Sequence, residues 1–123
     1  MLQPADIRFT LSVKNFSEQR LRSDQKLAVY RIVQELTTNI VKHARAKQVT
    51  ITLHTTDDEF SMCITDDGVG VQNSQVSDGN GLRNIAERVS ILEGESSINT
   101  SPGKGLSFEV KFPLIAGFED VGI

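Results

Sequence analysis

The chain has 123 residues, a length that suits one domain with a single hydrophobic core. Its 38% hydrophobic and 24% charged residues are typical of a globular protein. Sixteen acidic and thirteen basic residues give a formal charge of −3, which argues against nucleic acid as a partner because phosphate binding needs a concentrated basic patch. The single cysteine, Cys63, excludes an internal disulfide and a cysteine-built zinc site, and it indicates a reducing compartment.

The sequence shows no targeting segment. Its longest apolar run, residues 114–118, is far shorter than the roughly 20 residues that span a bilayer. The first six residues lack the basic stretch followed by an apolar stretch that marks a signal peptide. We therefore expect a cytoplasmic location, either free or as the cytoplasmic part of a membrane-anchored parent protein.

Hydrophobic periodicity predicts a strand and then a helix at the start of the chain. Apolar residues alternate with polar ones over 7–13, which predicts a half-buried strand. Ser23 and Asp24 provide N-cap chemistry for a long helix that reaches about Arg45. The stripe predicted to face the core consists of Val29, Val33, Leu36, Ile40 and Ala44.

The remaining pattern predicts four strands and a second helix. The strands are predicted at 49–53, 60–64, 95–100 and 106–112, and the first two are expected to pair as a hairpin. The helix is predicted at about 81–93, with Gly94 as its C-terminal stop. Its predicted core stripe consists of Leu82, Ile85, Ala86, Val89 and Leu92. Because two helices cannot cover both faces of a five-stranded sheet, we predict an α/β two-layer sandwich with a mixed sheet and both helices on one face.

Three polar side chains are spaced to lie on one line of the first helix. Glu35, Asn39 and Lys42 fall within about 60° of one another, roughly opposite the apolar stripe. A solvated outer face is the default interpretation of such residues on a surface helix. The alternative is a metal–phosphate site, because amide and carboxylate oxygens suit Mg²⁺. His43 follows directly, and a lone histidine is more often a bystander than a ligand.

A long polar segment follows the third predicted strand. Residues 66–81 are too many for a passive connection, and loops of this length usually carry function. The segment opens on Asp66-Asp67-Gly68-Val69-Gly70, where a carboxylate at a strand end precedes two spaced glycines. Such a carboxylate can accept a hydrogen bond from an adenine amino group while bare backbone approaches a flat ring. An ordinary Asp-Gly turn is the alternative.

Two further glycine motifs occur downstream. Gly79-Asn80-Gly81-Leu82 opens the second helix, where exposed N–H groups and the helix dipole favour an anion such as phosphate. Gly103-Lys104-Gly105 forms a turn between the closing strands, from which Lys104 either reaches a phosphate or is simply solvated. Neither motif is specific by itself, and no pair of nucleophile and base can be assembled from the sequence.

The order and spacing of these motifs resemble the catalytic and ATP-binding domain of sensor histidine kinases, within the gyrase, chaperone, histidine kinase and mismatch-repair ATPase superfamily. The resemblance is carried by Y-R-I-V-Q-E-L-T-T-N-I-V-K-H-A at 30–44, D-D-G-V-G at 66–70, G-N-G-L at 79–82 and G-K-G at 103–105. The lead-in Y-R-I-V-Q-E and the segment G-L-R-N-I-A-E-R-V are similar to kinases related to nitrate and membrane-fluidity sensors, whose partners are LuxR-type response regulators. The resemblance implies a Bergerat-type ATP-binding fold, with one domain at 1–113 and a C-terminal tail at 114–123.

The resemblance also implies a Mg-ATP site. Asn39 would be the Mg²⁺ ligand, and Glu35 would lie beside the triphosphate, where it assists a water or the incoming nucleophile. Lys42 and His43 would approach the phosphates. Asp66 would accept a hydrogen bond from the adenine amino group, directly and through water.

The glycine motifs are implied to surround the nucleotide. Gly68 and Gly70 would let the backbone close on the adenine ring. The motif of Gly79, Asn80, Gly81 and Leu82 would anchor a mobile lid at about 71–80 near the phosphates. Gly103 and Gly105, with Lys104 between them, would shape the back of the pocket. One departure concerns this pocket, because the family usually carries threonine where this chain has Leu106. Ser107 is predicted to point to the opposite face by strand alternation.

The implied activity is transfer of the γ-phosphoryl group of ATP to a histidine. That histidine would belong to a separate dimerisation domain, because neither His43 nor His54 fits the acceptor motif H-[DE]-x-x-x-Q. In isolation we expect the chain to be a monomer. Two alternatives stay open: a serine kinase of the anti-sigma-factor type, which shares the fold, and a nucleotide-sensing or partner-binding module without transfer activity.

Overall fold

The computed structural model of the chain describes residues 7–40, 47–68, 80–100 and 105–120. Within these ranges lie five strands, two α-helices and a short 3₁₀ helix at Glu18–Arg20. The strands are β1 (Arg8–Val13), β2 (Gln48–Thr55), β3 (Glu59–Asp66), β4 (Glu95–Thr100) and β5 (Leu106–Pro113), and the helices are α1 (Ser23–Asn39) and α2 (Asn80–Ile91). In this part of the chain, no helix combines the length and the hydropathy needed to cross a membrane.

The five strands form one mixed sheet in the order β1-β2-β3-β5-β4. β1 and β2 pair in parallel, and the other three pairs are antiparallel. A parallel pair needs a crossover connection, which α1 provides. β3 and β4 both pair antiparallel with β5, so they run in the same direction, and α2 lies between them in the chain. Each helix therefore runs opposite to the strands that it connects, and the two helices are antiparallel to each other because β2 and β3 are antiparallel.

The hydrophobic core lies between the sheet and the two helices. Alternate side chains of β3 and β5 face this layer and are buried: Phe60, Met62, Ile64, Phe108, Val110 and Phe112. The rings of Phe60 and Phe112 stack with their centroids 4.7 Å apart. Ile32 and Leu36 of α1 and Ile85 of α2 belong to the same cluster, so both helices cover one face of the sheet. The predicted two-layer sandwich is confirmed.

The start of α1 differs from the prediction. Its N-cap residue is Arg22, so the helix begins at Ser23 and neither Ser23 nor Asp24 is the cap. The Arg22 backbone N–H donates to Oε1 of Gln25, 2.8 Å away, and Gln25 is buried. A side chain inside the first turn thus performs the capping that the sequence pattern assigns to a residue before it.

The buried face of α1 is rotated from the predicted stripe. Its buried hydrophobic side chains are Ile32 and Leu36, followed by Ile40 at the C-cap, whereas Val29 and Val33 are only partly buried. The stripe predicted from the sequence omits Ile32, because the prediction does not account for the contact between α1 and α2 on that side. The predicted continuation of the helix through 41–45 lies outside the described residues.

Strand β1 is more exposed than its alternating pattern predicts. Ile7 just before it is buried, but Phe9, Leu11 and Val13 are 45%, 61% and 53% exposed. These three residues pair with Val49, Ile51 and Leu53 and so share the face that the helices cover. β1 is an edge strand, and α1 lies over the interior of the sheet. The alternating pattern therefore identifies the apolar face of β1, but it does not show whether a helix covers that face.

Two adjacent residues end α2: Glu93 adopts the left-handed conformation, and Gly94 allows a close approach to β5. The left-handed residue is Glu93, with φ of 61°, and not the predicted stop, Gly94. The Gly94 N–H donates to the Val89 carbonyl at 2.9 Å and the Glu93 N–H to the Ser90 carbonyl at 2.9 Å, which is a Schellman arrangement. A Cβ on Gly94 would overlap the Lys111 carbonyl oxygen, so this glycine is required by its close approach to β5.

Ile85, Val89 and Leu92 of the predicted α2 stripe are buried, but Ala86 is exposed. The side chain of Leu82 lies outside the described residues. The buried surface of α2 is therefore narrower than predicted.

We expect opposite effects on stability from substitutions of Glu93 and Gly94 at the end of α2. Glu93→Gly relieves the left-handed strain of a residue with a Cβ and should raise the free energy of unfolding by about 0.5–1 kcal/mol. Gly94→Ala forces the backbone of α2 away from β5 and should lower it by about 2–3 kcal/mol. Urea unfolding of both variants tests this, and a stabilising Gly94→Ala would contradict the assigned close approach.

Residues 114–120 pack against the segment that precedes α1. Leu114 is buried in the core, and the guanidinium of Arg20 donates to the carbonyl oxygens of Ile115 and Phe118 at 3.2 and 3.1 Å. The same guanidinium donates to Thr56 and Asp57 carbonyls in the β2–β3 turn, at 3.2 and 2.6 Å. One side chain thus ties the end of the described chain to a turn of the sheet.

We expect Arg20→Ala to lower the free energy of unfolding by about 1–2 kcal/mol, because four carbonyl oxygens lose a charged donor. Arg22→Ala is the matched control, since Arg22 makes only an exposed ion pair with Asp24 at 3.2 Å. Equal effects of the two substitutions on chemical unfolding would show that the Arg20 contacts carry no special weight.

Candidate functional site

The sequence motifs converge at one end of the sandwich. Asp66, at the end of β3, is the register partner of Val49 in β2 and of Leu106 in β5. Since α1 runs opposite to β2, its last residue, Asn39, lies toward the end where β2 begins. Since α2 runs opposite to β3, its first residue, Asn80, lies toward the same end. The topology therefore gathers polar groups that are far apart in the sequence.

Asp66 has one satisfied and one unsatisfied carboxylate oxygen. Its Oδ1 accepts a hydrogen bond from the Gly68 N–H at 2.8 Å. Its Oδ2 is buried, and among the described residues it is the one buried side-chain nitrogen or oxygen with no partner. Burial raises the pKa of Asp66. Smaller effects follow: the Gly68 N–H lowers this pKa, the adjacent Asp67 raises it, and the backbone N–H of Leu106 lowers it. A buried acceptor without a donor is costly, so this oxygen is suited to a ligand that brings an N–H group.

Bare backbone lies directly beside this carboxylate. Gly68 is buried, and Gly105 is buried with φ of +75°, a conformation that favours glycine. A Cβ on Gly105 would overlap the carbonyl oxygen of Asp66. Gly105, the described residue of the G-K-G motif, therefore lies against the backbone of Asp66 in the D-D-G motif.

Leu106 occupies the position where the sequence resemblance implies a threonine hydroxyl. Its side chain is buried on the helix-covered face, in register with Asp66. The Ser107 hydroxyl lies on the opposite face, 3.6 Å from Sγ of Cys63, as strand alternation predicts. Leu106 therefore brings no hydroxyl toward Asp66, which agrees with the unpaired state of Oδ2.

Glu35 is half-buried at a small cavity between α1 and α2. Glu35 lies beside the buried face of α1 and not opposite that face. Its side chain is therefore not on a fully solvated outer face of the helix. One helical turn further along α1 comes Asn39, toward the end where the motifs meet.

Comparison with known proteins identifies the family. The profile of the histidine kinase-, DNA gyrase B-, and HSP90-like ATPases matches residues 24–116, which is more than half of the chain. The chain belongs to this ATPase family. The resemblance inferred from its motifs is confirmed.

Curated relatives of this ATPase domain are sensor histidine kinases. ComP of Bacillus subtilis is 39% identical over 94 residues, which cover 74% of this chain and 12% of ComP. The histidine-protein kinase/phosphatase DegS of the same organism is 31% identical over 101 residues, which cover 79% of this chain and 26% of DegS. The chain thus spans a small part of the curated relatives that it matches.

Solved structures show the same fold for the ATPase domain. The histidine kinase domain of the blue-light activated kinase EL346 from Erythrobacter litoralis superposes with a TM-score of 0.71 at 20% identity, covering 89% of this chain and 52% of that one. The mycobacterial sensor histidine kinase MprB gives a TM-score of 0.67 at 18% identity, covering 91% and 85%.

The described part of the ATPase domain contains some of the predicted site residues and not others. It brings together Asp66, Gly68 and Gly105, and it places Glu35 in the cavity between the helices. The backbones of Asn39, Asn80, Gly81 and Leu82 are described, but their side chains are not. Predicted residues that lie outside the described ranges are Lys42, His43, Gly70, Gly79, Gly103 and Lys104, together with most of the predicted lid. In the described ranges there is no group of three or more histidine, cysteine or acidic side chains placed to hold a metal.

Sequence reasoning assigned no role to Asp67 of the ATPase domain. Its Oδ1 accepts hydrogen bonds from the N–H groups of Lys47 and Gln48 at 2.8 and 2.9 Å. These donors lower the pKa of Asp67, although the side chain is exposed. Asp67 thus anchors the start of β2 against the end of β3. Two consecutive acids after a strand are the one signal that pointed to it, and they do not show which acid serves which purpose.

Proposed function

We propose that the chain is the ATP-binding catalytic domain of a two-component sensor histidine kinase. It would bind Mg-ATP and transfer the γ-phosphoryl group to a histidine on a separate dimerisation domain. The observation that carries this proposal is the buried, unpaired Oδ2 of Asp66 beside the bare backbone of Gly68 and Gly105. An adenine ring offers an amino N–H to such an oxygen and a flat face to such backbone.

The triphosphate would lie toward the converging ends of α1 and α2. In this proposal the amide oxygen of Asn39 would hold Mg²⁺, and the ion would supply neutralisation of the phosphate charge. Lys42 and His43 supply further positive charge and donors, and the N–H groups at the start of α2, around Asn80, face the anion. Gly70, Gly79, Gly81, Leu82, Gly103 and Lys104 keep the roles that the resemblance implies, in the lid and the pocket walls.

In the proposed transfer the bond from the γ-phosphorus to the β–γ bridging oxygen breaks, and a bond from that phosphorus to an imidazole nitrogen forms. ADP leaves with the electron pair of the broken bond. The carboxylate of Glu35 accepts a hydrogen bond from the other imidazole N–H, which orients the neutral ring and holds its proton as positive charge develops. The chain itself therefore contributes mainly positioning and charge stabilisation.

The same proposal includes a domain at 1–113 with a tail at 114–123, a cytoplasmic location, a monomeric state for the isolated chain and a LuxR-type response regulator downstream. One observation favours a second candidate, a nucleotide-sensing module without transfer activity. Leu106 brings no hydroxyl toward Asp66, so a water that linked Asp66 to adenine would have one hydrogen-bond partner fewer.

The decisive experiment measures two properties of the same purified chain, ATP binding and phosphoryl transfer. Calorimetry with ATP and Mg²⁺ measures binding to the chain and to Asn39→Ala, which should bind nucleotide with little dependence on Mg²⁺. Radiolabelled ATP then measures transfer to a histidine-bearing acceptor, for which ComP with its matching segment deleted is the first choice. Binding followed by transfer supports the kinase, binding with no transfer to any tested acceptor supports the sensing module, and no binding rejects both.

ATP affinity should depend on pH through Asp66. Because burial raises its pKa above the ordinary 3.8, the carboxylate becomes protonated at a higher pH than a free aspartate, and a protonated oxygen no longer accepts from adenine. Affinity should therefore be full above this raised pKa and fall by up to about tenfold per pH unit below it. Calorimetry across acidic pH checks this, and an affinity that stays constant while the carboxyl carbon of Asp66 titrates by NMR would contradict the role.

A further inference from the structure

The cavity between α1 and α2 has the character of a cationic cleft. It has a volume of about 70 Å³ and is lined by Arg31, Gln34, Glu35, Asn84, Ile85 and Arg88. Ile85 is buried and forms its floor, while the two arginines are exposed. We call this feature the Arg31–Arg88 cleft.

The two arginines of the cleft are not used by the described fold. The guanidinium of Arg20 donates to four carbonyl oxygens and that of Arg22 pairs with Asp24, whereas the guanidinium groups of Arg31 and Arg88 make no hydrogen bond or ion pair within the described ranges. Two guanidinium groups against the single carboxylate of Glu35 leave the cleft with excess positive charge. A guanidinium presents paired N–H donors that match the two oxygens of a carboxylate or phosphate.

The size of the cleft favours a small carboxylate over a larger anion such as a nucleotide. A volume of about 70 Å³ is well below the roughly 300 Å³ at which small-molecule pockets begin, but it can receive one acidic side chain. Because the cleft lies at the surface between two adjacent helices, a third helix could lie across it. These features favour a carboxylate carried on a protein over a free nucleotide.

The position of the cleft indicates which protein would carry this carboxylate. On α1, Arg31 and Glu35 are one turn apart, and Glu35 is one turn before Asn39; on α2, Asn84 is one turn after Asn80. The cleft therefore continues directly from the end of the sandwich where we place the triphosphate. Glu35, which the proposed function places beside the incoming acceptor, lines the same cleft as the two arginines.

We propose that the Arg31–Arg88 cleft docks the partner helix that delivers the acceptor histidine, by binding an aspartate or glutamate side chain of that helix. This inference rests on the proposed function, because that function requires a histidine supplied from outside the chain. The ion pairs would orient the helix over Glu35, and their exposure makes the docking sensitive to salt.

The test uses the whole chain, labelled with ¹⁵N, and two helical alanine-based peptides as probes. One peptide carries a histidine with glutamates one and four positions after it, and the other carries glutamines at those positions. The glutamate peptide should shift the side-chain Nε–Hε signals of Arg31 and Arg88, and its affinity should exceed that of the glutamine peptide by about fivefold. The double variant Arg31→Gln/Arg88→Gln should remove this difference.

Arg83→Gln is the matched control, because Arg83 is an exposed arginine of α2 that does not line the cleft. Equal affinity for the two peptides, or a preference that the double variant retains, would overturn the proposal. So would Mg-ATP that shifts both arginine signals and expels the peptide, since the cleft would then be a phosphate subsite. ATP calorimetry on the unaltered chain reports on the proposed function separately, so loss of nucleotide binding and loss of peptide preference are distinguishable failures.

Discussion

Asp66→Asn is expected to weaken ATP binding by at least about tenfold, or about 1.4 kcal/mol, while leaving the fold as stable as before. The substitution keeps an oxygen for the Gly68 N–H but replaces the unpaired Oδ2 with an NH₂ group, which cannot accept from adenine. Calorimetry measures the affinity, and thermal unfolding measures the stability.

The stability half of this prediction follows from the raised pKa of Asp66. A group whose pKa is higher in the folded chain than in the unfolded chain stabilises the fold below the unfolded pKa, and this contribution is lost as pH rises through the folded pKa. At neutral pH the ionised carboxylate is therefore unfavourable for folding, and a neutral amide removes that cost. In the proposed function the adenine amino group satisfies this carboxylate and offsets its cost.

Asp67 provides the matched control, because the two acids are adjacent and have opposite assignments. Asp67→Ala removes the acceptor for the Lys47 and Gln48 N–H groups and should lower the free energy of unfolding by about 1 kcal/mol, with ATP affinity changed much less than in Asp66→Asn. The assignment of Asp66 to the ligand would be wrong if both variants lost stability and affinity in proportion.

Gly105→Ala is expected to have the largest effect on the fold of any single substitution considered, a loss of about 3 kcal/mol or more in the free energy of unfolding. The added Cβ is strained at φ of +75°, and it would also overlap the Asp66 carbonyl oxygen. Relief of that overlap moves β5 away from β3 at the site, so ATP binding should be lost as well. Urea unfolding and calorimetry together measure the two losses.

Gly117→Ala separates the two causes. Gly117 has nearly the same φ, +77°, but nothing lies within 4 Å of an added Cβ. Its substitution should cost only the backbone strain, about 1 kcal/mol, and should leave ATP affinity unchanged. If Gly105→Ala cost no more than Gly117→Ala, the close approach of the two glycine-bearing motifs would not be a determinant of the site.

Several local features were predicted correctly because they depend on neighbours in the sequence. The period of two located β2, β3 and β5, and the period of 3.6 located α1 and α2. The errors occurred where a distant contact decides the outcome. β1 is exposed because neither of the two described α-helices covers that edge of the sheet, and Gly94 is constrained by the backbone of β5 and not by its own φ.

The sequence by itself determined the element order, the apolar face of each element and, through four motifs in a defined order, the family. Only the tertiary structure decided that Asp66 is the acid with a free buried oxygen and Asp67 the acid that anchors β2, because hydrogen-bond partners come from other strands. It likewise decided that Gly105 lies against Asp66 and that Arg31 and Arg88 share one cleft. Strand register and helix direction set these contacts, and neither is encoded in the spacing of residues along a single element.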